Sequence, residues 1–297
     1  MKKLIVWLLP LLLATFVSIA VGQSAPPSCQ QCAEWNQPQK PFRIFGNSYY
    51  VGPHGLSSVL ITSDAGHILI DGALPESAPL IVDNIRALGF RIEDVKIILN
   101  SHVHSDHAGG IHGLQRLSGA RVLASTWSAG VMKRGGVGRD DPQYGSITGI
   151  APIKKVEDLH DGETFNIGAT SITAHLTPGH TPGGTSWTWK SCEGNVCRDI
   201  VYADSLTPIS TKGFHFTNSR TYPHALDDFE KSFKFLETTP CDILITVHPG
   251  VSNLWERVEA RQRGTTPDPM VDSGACRELA AKARAQLRQR IEEEVKQ

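Results

Sequence analysis

Four candidate metal ligands lie within six residues of one another: His102, His104, Asp106 and His107. They closely follow Val95–Leu99, a short apolar run that is typical of a buried strand. In extended backbone the first two histidines project to the same side, because strand side chains alternate, and a turn into a helix then redirects the other two ligands. Imidazole and carboxylate groups suit zinc, and a catalytic site leaves coordination positions for water. The run therefore predicts a site that can serve two adjacent metal ions.

Two further histidines occupy similar places, each where a predicted strand gives way to a loop. His180 follows the predicted strand Ser171–Leu176, and His248 ends the predicted strand Cys241–Val247. Binding and catalytic groups concentrate on loops that a rigid scaffold positions. We therefore add both histidines to the candidate metal site.

The N-terminus has the parts of a secretory signal peptide. Two lysines precede the apolar run Leu4–Val21, and small residues lead to a predicted cleavage site after Gly22. A membrane anchor is the alternative, but Pro10 and the small residues at the exit favour removal. We expect a signal peptide over residues 1–22, a periplasmic location and a mature protein that does not associate with the membrane.

Residues 23–297 are expected to form a single domain, with an extended leader rich in Gln, Pro and Ser over residues 23–40. The formal net charge of −1 provides no strong field for steering toward nucleic acid. No amphipathic stretch demands a protein partner, so we expect a monomer.

The six cysteines are expected to meet an oxidising compartment after export. The predicted disulfides are Cys192 with Cys197, which would close a hairpin, and Cys241 with Cys276, which would fasten a terminal helix to the core. Cys29 and Cys32 have the C-x-x-C spacing of some redox and metal sites, but no βαβ pattern surrounds them. A local disulfide and a flexible leader both remain open for this pair.

Apolar periodicity places strands and helices in two similar halves. Strands are predicted over 42–51, 58–62, 67–71, 95–99, 121–124, 171–176, 186–190, 199–203 and 241–247. Helices are predicted over 75–89, 112–117, 127–133, 225–237 and 275–295. The segment Gly135–Ile153, rich in Gly, Asp and Pro, is predicted to be a long functional loop. Two β-rich halves that each end in helices favour sheets packed together with helices outside.

Three motifs together resemble the metallo-β-lactamase superfamily: the H-x-H-x-D-H run, the sequence G-H-T-P-G-G at 179–184, and His248 with Pro249. The resemblance extends from about Pro41 to Lys296. It implies an α/β fold, a four-layer αββα sandwich with a zinc site at one edge of its sheets. It also implies two Zn²⁺ ions per chain. The first would be held by His102, His104 and His180, and the second by Asp106, His107 and His248. Asp71 matches an acidic residue that would orient a ligand or its loop.

The resemblance also implies a hydrolytic reaction. Two zinc ions lower the pKa of a bridging water, and the resulting hydroxide would add to an acyl carbon. Asp106 would be the catalytic residue, because it is placed to orient the hydroxide or pass on its proton. The chain contains neither Ser-x-x-Lys nor Gly-x-Ser-x-Gly, so the usual serine β-lactamase and α/β-hydrolase signatures are absent from the sequence.

Several features favour a zinc-dependent β-lactamase of subclass B3 within this superfamily, acting on penicillins, cephalosporins and carbapenems and conferring antibiotic resistance. They are the ligand set, the Cys241 and Cys276 pair, export, and the segment 202–207. That segment resembles the one that binds the substrate carboxylate in this subclass, with Ser205 and Thr207 as its donors. The alternative is an exported dizinc lactonase or thioesterase, since the superfamily contains both.

Five residues have ambiguous roles. Lactonases and thioesterases of the superfamily use an aspartate near Asp204 to bridge both metals, so the outcome depends on whether Asp204 or Ser205 faces the site; we favour Ser205. Gln143 matches a substrate-contacting position, although it could equally be an exposed loop residue. His54 and His215 lie in loops that could reach the site, and the sequence does not assign their roles.

Overall fold

The computed structural model describes Cys29 and residues 31–296, so the predicted signal peptide lies outside the described residues. The strands are β1 (Phe42–Phe45), β2 (Ser48–Tyr50), β3 (Val59–Ile61), β4 (His67–Ile70), β5 (Val95–Leu99), β6 (Arg121–Ser125), β7 (Val156–Leu159), β8 (Thr164–Ile167), β9 (Thr170–Leu176), β10 (Thr185–Glu193), β11 (Val196–Ala203) and β12 (Ile243–Thr246). The α-helices are α1 (Cys32–Trp35), α2 (Ala78–Ala87), α3 (Ser105–Ala108), α4 (Ile111–Ser118), α5 (Thr126–Arg134), α6 (Ala225–Thr238), α7 (Leu254–Gln262) and α8 (Ala275–Val295).

The strands form two sheets. The first contains β1 to β7 in sequence order, antiparallel from β1 to β4 and parallel from β4 to β7. Its parallel strands are connected through α2, α4 and α5, as parallel strands require crossover connections. The second sheet has the order β12-β11-β10-β9-β8, with β11 and β12 parallel and the other pairs antiparallel.

Alternation of side chains along the strands divides the apolar residues among three cores. Along β5, Ile98 belongs to the core beneath the helices of the first sheet, whereas Leu99 belongs to the core between the sheets. Along β11, Tyr202 lies in the core between the sheets, and Val201 lies in the core shared with α6 and α8. The layers therefore run helix, sheet, sheet, helix, and the predicted αββα sandwich is confirmed.

The first hairpin departs from the prediction of one strand over 42–51. The chain turns between β1 and β2 at Gly46, whose φ is 52°. A Cβ there would stand 2.5 Å from Ser191 Oγ and 2.7 Å from the carbonyl oxygen of Cys192. Glycine is therefore required both for the left-handed backbone and for the close approach of β10.

The sequence analysis missed several short elements. The strands β7 and β8 and the helix α7 carry too few buried side chains to give a clear period. The leader, predicted to be extended, contains the one-turn helix α1. Both predicted disulfides are bonded in the structure, and so is Cys29 with Cys32, the pair left open by the sequence. Among the described residues, no helix combines the length and the apolar character needed to cross a membrane.

The C-terminal turn of α8 fastens the segment that follows β11. The buried carboxylate of Glu294 accepts hydrogen bonds from the backbone N–H of Phe216 at 2.9 Å and of Thr217 at 3.0 Å. Arg290 donates to Glu294 Oε1 at 2.8 Å and to Ser210 Oγ at 2.8 Å. This clasp anchors the middle of the segment that connects β11 to α6 and begins with residues 204–207.

Candidate metal centre

The candidate ligands come from both sheets and meet at one edge of the sandwich. His102 and His104 lie in the loop after β5, and the short helix α3 carries Asp106 and His107. His180 lies in the loop after β9, and His248 lies two residues beyond β12. The structure therefore brings together all six residues that the sequence predicted as ligands.

The first ligand set consists of His102, His104 and His180. One ring nitrogen from each lies within 4.8 Å of the corresponding atoms of the other two, and all three side chains are buried. Three converging imidazoles of this kind fit a divalent transition metal such as zinc.

In each imidazole of this set, one ring nitrogen is hydrogen-bonded to an acceptor outside the set. His102 Nδ1 lies 2.6 Å from Asp204 Oδ1, and His104 Nε2 lies 3.0 Å from Asp141 Oδ2. His180 Nδ1 donates to the carbonyl oxygen of Thr207 at 2.8 Å. These acceptors fix the tautomers, because the engaged nitrogen carries the proton and the other one keeps its lone pair for a metal.

The second set is centred on Asp106. Its Oδ2 atom lies 3.2 Å from His107 Nε2 and 3.4 Å from His248 Nε2. The contact between His107 Nε2 and Asp106 does not have hydrogen-bond geometry, so both ring nitrogens of His107 are buried without a hydrogen-bond partner among the described residues. A buried polar group without a partner is costly unless something binds it, and a metal ion would satisfy the nitrogen that faces Asp106.

The electrostatics of the cluster keep most of these groups in the form that binds metal. Burial lowers the pKa of His102 well below its ordinary value, that of His180 to about 3 and that of His248 to about 4. Burial alone would raise the pKa of Asp106, but the adjacent His107 holds it far below its usual range. At neutral pH His102, His180 and His248 are therefore neutral and Asp106 is ionised, whereas the adjacent Asp106 carboxylate, against the effect of burial, raises the pKa of His107.

Asp71 fixes the loop that leads to the first ligand. Its Oδ1 accepts hydrogen bonds from the backbone N–H of Ser101 at 2.8 Å and from Asn100 Nδ2 at 3.1 Å. Its Oδ2 accepts from Ser101 Oγ at 2.6 Å and from the Tyr202 hydroxyl at 2.8 Å. Asp71 thus sets the course of residues 100–101, immediately before His102.

A cleft of about 830 Å³ opens over both ligand sets. The three residues predicted to contact substrate, Ser205, Thr207 and Gln143, all line it. Gln143 Nε2 lies 3.4 Å from both His104 Nδ1 and His180 Nε2, so its amide covers the first set. The Thr207 hydroxyl lies 3.3 Å from His180 Nδ1, and the carbonyl oxygen of Thr207 accepts from the same nitrogen.

The choice between Asp204 and Ser205 was framed too narrowly, because both residues line the cleft. Asp204 is buried behind His102, where it bonds the nitrogen that faces away from the other ligands. Asp141, which the sequence analysis did not single out, supports His104 in the same way. Its position beside Asp140 and Pro142 in the predicted functional loop was the only local signal. His54 stacks on Trp255 with ring centroids 4.5 Å apart and does not line the cleft.

Two ligand clusters of this composition, at one edge of an αββα sandwich, define a metal-dependent hydrolase class. Residues 51–250 match the family model described as the metallo-beta-lactamase superfamily. The chain is 56% identical to Rm3 metallo-beta-lactamase, with a TM-score of 0.88 over 91% of this chain and 100% of that one. It is 49% identical to MEM-A1, a subclass B3 metallo-beta-lactamase from a soil metagenome library, with a TM-score of 0.86 over 88% and 98% of the two chains. The chain belongs to the metallo-β-lactamase superfamily and, within it, to the subclass B3 enzymes.

Curated relatives outside this subclass are more distant. The N-acyl homoserine lactonase AttM of Agrobacterium fabrum is 31% identical over 157 residues, which are 43% of this chain and 57% of the lactonase. The chain therefore spans little more than half the length of that relative.

Proposed function

We propose that the chain is an exported enzyme that binds two zinc ions and hydrolyses the amide bond of β-lactam antibiotics. The proposal joins the composition of the two ligand sets to the likeness to metallo-β-lactamases of subclass B3. Hydrolysis of these drugs in the periplasm would make a host bacterium resistant to them.

The ligand sets are suited to amide hydrolysis. Bound zinc lowers the pKa of water and polarises carbonyl oxygens, which provides a nucleophile near neutral pH. The carboxylate of Asp106 is ionised and partly accessible from the cleft, with 16% of the side chain exposed. Asp106 can accept the proton of the attacking water and pass it to the amide nitrogen as the carbon–nitrogen bond breaks.

The loop after β11 provides the means to hold a substrate carboxylate. The Ser205 hydroxyl is the better donor, because the Thr207 side chain already approaches His180. The Gln143 amide nitrogen lies 3.4 Å from the metal-facing nitrogens of His104 and His180, so metal binding there would release it to contact the acyl part of the drug. These groups would orient the ring so that its carbonyl carbon lies beside the metals.

One observation carries the choice of substrate: Asp204 is engaged with His102 Nδ1 at 2.6 Å. Lactonases and thioesterases of the superfamily use an aspartate in this region to bridge the two metals. In this chain the Asp204 carboxylate instead supports a ligand from behind, and Asp204 belongs to neither group of converging ligand atoms. Ser205 is then the residue of this segment that would bind the substrate carboxylate.

The direct test offers the zinc-loaded protein a carbapenem, a chromogenic cephalosporin, an acyl homoserine lactone and a thioester. We expect turnover of both β-lactams, loss of activity after chelation, and recovery when zinc is restored. Mass spectrometry under native conditions should show two zinc ions per chain. Turnover of the lactone without turnover of either β-lactam would establish the alternative function.

The substrate role of Ser205 can be separated from metal binding. Ser205→Ala should raise KM for β-lactams by roughly tenfold, the value of about one good hydrogen bond to a charged group, while the zinc content stays at the wild-type level. Loss of zinc from this variant would mean that the segment is misassigned.

Export has its own test. The N-terminus of protein isolated from the periplasm should begin at Gln23 if cleavage follows Gly22. Retention of the first 22 residues in a membrane fraction would favour an anchored enzyme instead.

A further inference from the structure

The cleft reaches well beyond the metals, to one side of α8. Its lining includes Leu279, Lys282, Ala283 and Gln286, which follow the i, i+3, i+4, i+7 pattern of a single helical face. A volume of about 830 Å³ is in the range of sites for whole drug-sized molecules. The bicyclic nucleus of a β-lactam therefore leaves room for its substituents, and part of that room is bounded by α8.

This face of α8 is held beside the segment that would bind the drug's carboxylate. Leu279 and Ala283 are buried and belong to the same apolar cluster as Leu206. Leu206 stands between Ser205 and Thr207 in the chain. The two polar residues of the same face, Lys282 and Gln286, line the same cleft as Ser205 and Thr207.

Lys282 is distinctive because of its charge. Among the described residues that line the cleft, it is the only lysine or arginine. Two arginines of α8 are engaged elsewhere: Arg284 pairs with Glu230 and Glu237, and Arg290 pairs with Glu294. Lys282 forms no ion pair within the described part of the chain, although Glu278 precedes it by one helical turn. It thus presents an uncompensated ammonium group to the cleft.

The chemistry of the drugs indicates which substituent would meet this ammonium group. In a cephalosporin, the carbon that carries the carboxylate is bonded to the carbon that carries the C3 substituent. When Ser205 holds the carboxylate, the C3 substituent therefore extends on the same side of the ring, toward α8. The acylamino side chain leaves from the opposite side, at the β-lactam ring.

We propose that Lys282, with the Gln286 amide beside it, is a specificity determinant that binds an anionic group on the C3 substituent of cephalosporins. This inference rests on the proposed β-lactamase function. The ammonium group attracts the anion, and the amide can donate a hydrogen bond to it. Cephalosporins whose C3 substituent ends in a sulfonate or carboxylate should be preferred over neutral counterparts.

Cefamandole and cefonicid provide a matched pair of substrates, because they share the mandelamido side chain and differ only in a methyl or sulfomethyl group on the tetrazole of the C3 substituent. The zinc-loaded enzyme should show a higher kcat/KM for the sulfonate. Lys282→Gln should reduce that preference by roughly fivefold, the upper range for an exposed ion pair, mainly through KM. Lys282→Glu should reverse it, and the wild-type preference should shrink as salt is added.

Arg288→Gln is the control. Arg288 is exposed on the same helix, about 120° around its axis from Lys282, and it does not line the cleft. This variant removes the same charge from the molecule and should leave the preference unchanged. If Lys282→Gln leaves the ratio of the two drugs unchanged while both are hydrolysed, the inference is wrong and the proposed function stands. If the zinc-loaded wild type hydrolyses neither drug, both fail.

Discussion

At the scale of single residues, the first ligand set is held by acceptors from distant parts of the chain. Asp204 is separated from His102 by 102 positions, and Asp141 is separated from His104 by 37. Each carboxylate removes the rotational and tautomeric freedom of one imidazole before any metal arrives. Ligands oriented in advance bind metal more tightly, because less ordering is left for the binding step.

Removing such an acceptor should weaken metal binding without unfolding the protein. Asp204→Ala leaves His102 Nδ1 without its acceptor, and we expect a loss of metal affinity of roughly 10- to 100-fold. Competition with a zinc-binding dye measures this affinity, and far-ultraviolet circular dichroism checks the fold. Asp141→Ala should have an effect of similar size through His104. Wild-type affinity in both variants would show that the carboxylates do not orient the ligands.

The motifs predicted the six candidate ligands because their spacing is local, whereas the acceptors are brought in by the fold. Asp204 could still have been assigned from the strand period. Ile200 and Tyr202 face the core between the sheets, and Asp204 continues the same alternation toward His102. The role of Asp141 could not be predicted, because no sequence pattern indicates which residue of an irregular loop turns inward.

At the scale of elements, α8 supports the substrate loop at two places. Its middle shares an apolar cluster with Leu206, and its end holds residues 216–217 through Glu294. The sequence predicted this helix and its disulfide, but not the clasp, because a glutamate in a charged helix gives no sign of being buried. Short elements such as β7 were missed for a related reason: an edge strand with two exposed acidic residues has no apolar alternation.

The Glu294 clasp predicts a pH-dependent contribution to stability. Burial opposes ionisation of Glu294, but the backbone N–H groups of Phe216 and Thr217 and the Arg290 guanidinium lower its pKa below the usual value. A carboxyl group with a lowered folded-state pKa stabilises the fold above its unfolded pKa of about 4.3, and this contribution is lost as the pH falls through the folded pKa.

Glu294→Gln should therefore lower the free energy of unfolding by about 1–3 kcal/mol at pH 7, and the difference from wild type should narrow below pH ~4. Urea unfolding at a series of pH values measures it. Glu292→Gln, an exposed change on the same helix, is the control. A difference that stays constant from pH 7 to pH ~3 would contradict the ionised clasp.

The disulfide between Cys241 and Cys276 joins the residues just before β12 to the first turn of α8. It closes a loop with a sequence separation of 35, so replacing both cysteines by serine should cost about 4 kcal/mol of stability. Thermal unfolding compares this variant with the Cys192→Ser, Cys197→Ser pair, whose sequence separation is only 5. The shorter loop should give the smaller loss; equal losses would argue against a chain-entropy origin.

At the scale of the whole molecule, each ligand set draws on both sheets. His102 and His104 belong to the first sheet and His180 to the second. Asp106 and His107 likewise belong to the first and His248 to the second. The resemblance and the apolar patterns predicted the layers correctly, since both depend on side chains that repeat along regular elements.

Metal removal should consequently destabilise the entire fold and not only the site. A ligand at 100 times its dissociation constant contributes about 2.7 kcal/mol, so chelation should lower the Tm by roughly 5–10 °C. Differential scanning calorimetry before and after chelation, with zinc restored as the control, measures the shift. An unchanged Tm would mean that the metals do not join the two sheets energetically.

The division of ligands between the sheets has a consequence for how the protein matures. A chain that crosses a membrane unfolded cannot assemble either ligand set until its N-terminal and C-terminal halves have docked. Zinc capture would then be the last event of folding and would report that both halves are in place. Chains with misdocked halves would remain metal-free, and they would be the ones left open to proteases.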